Sequence, residues 1–222
     1  MPLVLLRTVA GTMLAAALVA TSLPAATAAP PVGGERYVVR PDPRLCPSPF
    51  CGGYWVALAN RARTRCHDGL LRPRCYVARA VDEDRHALAG ALPDGALVRA
   101  ALEPWTFESF GELGVLVVAD VRHPAGAAAA GRFFRVRDTG VRCVRAPCFS
   151  LRAAVLNAAE RVSLSELDLR PARLDAAARE RAEADLASRG GLYVAGRVVA
   201  GEQGGRALRA SRLYLRAPPP RA

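Results

Sequence analysis

Cys46-Pro-Ser-Pro-Phe-Cys51, with Asn60 after eight intervening residues, returns later in the chain as Cys143-Val-Arg-Ala-Pro-Cys148, with Asn157 after another eight. All three anchors are displaced by 97 positions. Upstream, Tyr37-x-Val39-Arg40 matches Phe134-x-Val136-Arg137. Downstream, Gly95-Ala-Leu-Val-Arg matches Gly191-Leu-Tyr-Val-Ala, and Leu113–Arg122 matches Ala207–Arg216. The cysteines and the asparagine recur while the loop interiors differ. What recurs therefore reads as architecture, a clamped corner that feeds a strand toward a turn. Two modules are expected, 36–124 and 132–216, joined by the uncharged, Gly-bounded linker 125–131.

Within each module the same order of elements is expected. In the first, Arg36–Arg40, Tyr54–Ala59, Tyr76–Val81, Ala96–Leu102 and Gly114–Val121 are β-branched or aromatic runs bounded by Gly, Pro and Asp. In the second, Phe133–Val136, Phe149–Leu156, Val162–Leu169, Leu192–Val199 and Ala207–Leu215 follow suit. Phe149, Leu151, Ala153 and Val155 alternate with period two, the spacing of a strand with one buried face. Ala172–Ser188 is rich in Ala, Arg and Glu and reads as a helix stopped by Gly190-Gly191. The fold class expected is α+β, mostly β, as two tandem small β-barrel-like modules of OB-like order, β-β-β-α-β-β. An open sheet with one covering helix would have the same order.

Of the 222 residues, 1–28 have the tripartite pattern of a secretory signal peptide: Arg7, an apolar run from Val9 to Leu23, and Ala26-Thr-Ala28. The run is too short and too often interrupted to serve as a membrane anchor. Residues 29–35 are expected to be a flexible lead-in and 217–222 a flexible tail. An exported chain enters an oxidising compartment, and all six cysteines lie beyond the leader. Local pairing is expected: Cys46–Cys51, Cys66–Cys75 and Cys143–Cys148. Each such ring stabilises by about 2–3 kcal/mol in the chain-entropy model. The competing arrangement is a zinc site of Cys46, Cys51, Cys66 and Cys75, but their spacing is loose and the second module has no equivalent.

The formal net charge of +11 comes from arginine alone, since the chain has no lysine. The arginines are scattered through the sequence, so a nucleic-acid partner is not expected. A basic surface attracted to an anionic envelope component, a glycan or a peptide is expected instead. No phosphate loop, dinucleotide fingerprint, Gly-x-Ser-x-Gly or His-Glu-x-x-His is present, and no cofactor is expected. Cys66-His67-Asp68 suggests a nucleophile, but Cys66 is better explained as the partner of Cys75. Asp82, Asp84 and His86 offer oxygen and nitrogen ligands for a metal or a hydrolytic site, and a solvated turn accounts for them as well. Trp105, beside Pro104 in a connecting loop, is the best candidate for a surface binding aromatic. Pro49 and Phe50 sit in a rigid presented loop of the kind enzyme inhibitors use.

At Cys51-Gly-Gly-Tyr-Trp-Val, Thr64-Arg-Cys66-x-Asp68-Gly69, Cys75-Tyr-Val-Ala and Arg142-Cys143-Val-Arg-Ala-Pro-Cys148 with Leu156-Asn157, the chain resembles a family of uncharacterised secreted bacterial proteins, a domain of unknown function. The resemblance spans roughly residues 36–216 and implies no activity, cofactor or substrate. The reading at this stage is an exported, monomeric, disulfide-stabilised protein with a non-catalytic binding or structural role. A secreted enzyme inhibitor presenting the Cys46–Cys51 loop and a secreted hydrolase are the alternatives.

Overall fold

Strand follows strand through residues 34–217, the part of the chain that the computed structural model describes. The segment read as a signal peptide, residues 29–33 of the lead-in and residues 218–222 of the tail lie outside the described residues. The first half contains β1 (Glu35–Pro41), β2 (Tyr54–Leu58), β3 (Thr64–Arg65), β4 (Leu71–Arg72), β5 (Cys75–Val77), β6 (Arg79–Val81), β7 (Ala96–Phe107) and β8 (Gly111–Gly126). The second contains β9 (Arg132–Asp138), β10 (Leu151–Val155), β11 (Arg161–Leu164), β12 (Glu166–Asp168), the helix α1 (Ala176–Ala187), β13 (Leu192–Ala200) and β14 (Arg206–Leu215). Helix α1 starts later than the Ala172 expected from composition. Asp175 caps it by accepting a 2.7 Å hydrogen bond from the Ala178 amide, and Arg170–Ala172 forms a separate short turn.

Twelve strands share one sheet, in the order β11-β10-β9-β13-β14-β8-β7-β1-β2-β5, with β6 parallel to β8 and β12 parallel to β14. The expectation of two OB-like barrels is corrected by this order: neither half closes on itself. Instead β8 and β14 run past their own halves and pair antiparallel with each other, His123–Gly126 against Arg212–Leu215. Strand order within a sequence leaves closure open: β6 and β12 pair with β8 and β14 over only three residues each, and the far ends of β8 and β14 pair across the halves. The stretch 125–131, read as a linker, begins inside β8.

The same ladder positions are used twice. β1 and β9 each lie between two antiparallel neighbours, β2 and β7 in one half, β10 and β13 in the other. Each long hairpin carries a bulge, between Arg99 and Ala100 and between Ala195 and Gly196. These registers set Arg122 opposite Leu97 and Tyr214 opposite Tyr193, so the downstream match is two residues away from the one drawn above.

Four apolar clusters follow from the alternation among the described residues, the smallest being Val81, Val115 and Val117. Tyr37, Val39, Val56, Val77, Val98 and Leu116 form a core in the first half. Phe134, Val136, Leu192, Val194 and Leu208 pack with Ala178 and Ala182 of α1 in the second. The opposite faces meet each other at Leu97, Leu156, Tyr193, Ala195 and Tyr214, with Val38 and Phe133 alongside. Val38 and Phe133 are thus the reason that β1 and β9 are apolar on both sides, as strands buried on two faces are.

The junction is latched by the recurring asparagines. Asn60 Nδ2 donates to the Phe133 and Leu156 carbonyls at 2.8 and 3.1 Å, and its Oδ1 accepts from the Phe133 amide at 2.8 Å. Asn157 Nδ2 donates to the Arg36 and Ala59 carbonyls at 2.8 and 2.9 Å, and its Oδ1 accepts from the Arg36 amide at 2.8 Å. Each asparagine serves the half it does not belong to. Both have left-handed backbones, with φ of 61° and 55°. Asparagine tolerates that conformation better than other side chains that could reach.

Replacing Asn60 or Asn157 by alanine is expected to destabilise the protein by about 2–4 kcal/mol, since three backbone groups each lose a hydrogen bond and alanine resists positive φ. Glycine at either position, which accepts the backbone, should cost less than alanine. Chemical denaturation followed by near-UV circular dichroism checks the ranking. A single transition is expected in every variant, and two separate ones would show that the halves unfold independently.

Candidate binding site

The Cys46–Cys51 loop owes its position to the residues beside it. Its disulfide spans Cα atoms 5.7 Å apart, and the other two bridges, Cys66–Cys75 and Cys143–Cys148, span 5.4 and 5.5 Å. All six cysteines are paired, so the four-cysteine zinc arrangement has no free thiolate. The Asp42 amide donates to the Gly53 carbonyl at 2.9 Å and closes the base of the loop. Gly53 is required there, because a Cβ would fall 2.0 Å from the Val77 carbonyl oxygen. The buried Asp42 carboxylate accepts from Arg44 Nε at 3.0 Å and from the Trp55 indole at 3.2 Å. Arg44 also donates to the Phe50 carbonyl at 2.9 Å, and the Tyr76 hydroxyl donates to the Pro49 carbonyl at 2.8 Å. The loop is thereby held by its carbonyls; Phe50 is left half exposed, while Pro49, read from the sequence as a presented residue, is buried beside Cys51.

The loop faces the tip of the β7–β8 hairpin. A groove of ≈ 410 Å³ is lined by Ser48, Pro49, Arg79, Trp105, Thr106, Phe107, Glu108 and Phe110. Phe50 meets Phe110 edge to face, with ring centroids 5.5 Å apart, and the two rings are 48% and 49% exposed. Trp105 and Phe107 rest on Val81, Val115 and Val117. Arg79 lies over the Phe107 ring at 4.7 Å and Arg85 over Trp105 at 5.8 Å. Of the aromatic residues singled out in the sequence, Trp105 lies in β7 and not in a loop. Pro104 reads as a strand stop, yet it sits opposite Gly114 within the ladder. Pro49 and Trp105, 56 positions apart in the sequence, line the same depression, and Phe50 borders it through Phe110.

The other candidates are arranged as follows. Asp82, Asp84 and His86 come together, with ligand atoms within 4.8 Å of one another, in a partly exposed turn. His86 and Asp82 are 3.8 Å apart, and Asp82 also accepts from the His86 amide at 2.8 Å. Cys66 is held in its disulfide, and Asp68 pairs with Arg72 at 2.8 Å, so Cys66-His67-Asp68 forms no nucleophile set. His67 Nδ1 is buried without a hydrogen-bond partner.

A charged cluster at the junction was invisible in the sequence. Arg36 donates to Asp120 at 2.7 Å and to the Tyr193 hydroxyl at 2.8 Å. Arg122 donates to Asp120 at 3.0 Å and reaches Asp185 of α1 at 3.4 Å. Burial pushes the Asp120 carboxyl up, and the hydrogen bonds and charges of Arg36 and Arg122 more than reverse this, leaving it below the ordinary value. Asp120 and Arg122 reach the cluster because the β7–β8 bulge turns them to the face shared with Leu97.

A family model described as a domain of unknown function, DUF6748, matches residues 35–220. No curated protein and no solved structure matches the chain.

The hydrogen bond from Arg44, with its charge, holds the Asp42 carboxyl below the ordinary carboxylate value. A depressed folded pKa contributes stability that is present above the unfolded value of about 3.9 and is lost as pH falls through the folded one. The wild-type denaturation midpoint should fall between about pH 5 and pH 2, and Asp42→Asn should flatten part of that slope while lowering the plateau at neutral pH. An unchanged slope in the variant would remove Asp42 from the loop's anchoring.

Proposed function

We propose, for a chain that belongs to the DUF6748 family of unknown function, a non-catalytic binding role: an exported, monomeric, disulfide-stabilised protein that holds a saccharide in the groove between the Cys46–Cys51 loop and the β7–β8 hairpin tip. One observation carries this reading. Pro49, Trp105 and Phe110, drawn from two distant segments, line one groove, and Phe50 and Phe110 stay about half exposed. Exposed aromatic rings gathered in a concavity mark a ligand site more often than a packing leftover. The half-exposed rings of Phe50 and Phe110 suit the C–H face of a sugar ring, while Ser48, Thr106 and Glu108 supply hydroxyl and carboxylate groups for its hydroxyls. Three disulfides support export, because such bonds persist in oxidising compartments. Among the described residues, no helix is long and apolar enough to cross a membrane.

The same reading takes the two halves as tandem copies of one unit in which only the first acquired a ligand site. The second half's corresponding hairpin turns through Gly201-Glu-Gln-Gly-Gly205, which has no aromatic residue. The Cys143–Cys148 loop in turn has Val144 and Arg145 where the first has Pro47 and Ser48.

Intrinsic fluorescence titration with neutral oligosaccharides tests the groove. Binding should shift the tryptophan emission, and Trp105→Ala should weaken it about 30-fold or more, the usual effect of truncating a central aromatic anchor. Failure of every oligosaccharide to bind, or affinity that survives Trp105→Ala, overturns the proposal.

A further inference from the structure

On the face of the second half that turns away from α1, several arginines gather in and beside one cleft. A cleft of ≈ 280 Å³ is lined by Arg36, Arg99, Arg135 and Arg161, together with Tyr193 and Asn157. An adjoining depression shares Arg135 and Arg161 and adds Arg137 and Arg152. The one acidic side chain lining either is Asp138, which is bound by Arg142 at 2.9 Å and by the Gly140 amide at 2.7 Å. Arg36 is 8% exposed and already committed to Asp120 and Tyr193. Among the described residues, Arg135, Arg137, Arg152 and Arg161 have no carboxylate partner.

Strand register makes this an array and not a scatter. Arg137 stands directly opposite Arg152, and Ala154 lies between Arg135 on one side and Arg161 on the other. Neighbouring strands are about 4.8 Å apart and alternate residues along a strand about 6.8 Å, so the backbone positions of these four arginines are fixed by the ladder. Like charges placed opposite each other across a ladder destabilise it. An ordered oxyanion between them reverses the sign of that term, and arginine's planar fork fits carboxylate and phosphate groups two hydrogen bonds at a time.

We propose that this face binds the oxyanion groups, carboxylate or phosphate, of a linear acidic polymer without aromatic bases. In the small cleft Arg135 and Arg161 take one anionic group, and Arg137 and Arg152 take the next along the chain. Nucleic acid is the less favoured polyanion. Single strands need aromatic platforms for their bases, and the one aromatic ring lining the cleft, Tyr193, is covered by Arg36 at 4.5 Å.

Fluorescence anisotropy at low salt with labelled octagalacturonate, and in a second arm with polyphosphate of similar length, tests the site. Whichever probe binds more tightly identifies the anionic group. Arg137→Glu with Arg152→Glu should weaken that probe at least about tenfold. Arg179→Glu with Arg189→Glu, the same change in net charge on and beside α1, should weaken it less than about threefold, as should Trp105→Ala. If Arg137→Glu with Arg152→Glu does not fold, the double alanine variant is measured in its place. Equal losses in the two charge-reversed pairs would mean diffuse attraction and overturn the site. So would failure of both probes to bind, or tighter binding of a 24-residue oligothymidylate than of either probe.

Discussion

Two carboxamide side chains hold the architecture together. Asn60 and Asn157 each present a donor and an acceptor to the start of a strand in the opposite half, and each replaces the ladder partner that β9 or β1 would otherwise lack there. The backbone groups at Arg36 and Phe133 would be costly to bury unpaired, and the apolar layer around Leu97, Tyr193 and Tyr214 closes directly beside them. The hydrogen bonds and the apolar layer therefore depend on each other: without the amides the layer would trap unpaired groups, and without the layer water would compete for the amides.

The second organising constraint is the bulge in each long hairpin. In an unbroken strand, Asp120 and Arg122 would share the face of Val118 and enter the first half's core. One extra residue turns them to the junction, where Arg36, Asp185 and the Tyr193 hydroxyl complete their hydrogen bonds. The corresponding irregularity between β13 and β14 brings Tyr214 to the junction while Leu208 and Ala210 stay with α1. Charge and aromatic bulk thus arrive at one seam from matching positions, and the arginine-lined cleft opens at its margin.

Much of the strand content was legible because each run is short, β-branched and bounded by turn residues. The local disulfides were legible because the cysteines lie close in sequence outside the strands' centres. Closure was not, since a barrel and an open sheet share one order of elements. The apolar residues Val38 and Phe133, on the faces opposite Tyr37 and Phe134, were the available sign that β1 and β9 are covered on both sides. The asparagines were rightly read as turn residues, but a turn motif does not say which backbone its side chain serves. Trp105 was read as a surface aromatic of a loop, but it lies in a strand and is half-buried against Val81, Val115 and Val117; Pro104 disguised the strand that carries it. The charged cluster left no trace, because it depends on a bulge whose position is set by pairing between strands and not by any local residue type.

The latch has the form that two identical subunits adopt about a two-fold axis: one surface meets its own counterpart, and each contact is made twice with the roles exchanged. Between separate chains, such an association would weaken on dilution. Here a covalent connection makes it intramolecular, so the two surfaces meet at an effective concentration set by the connecting segment and not by the amount of protein present. However far the protein is diluted, this assembly is therefore not lost.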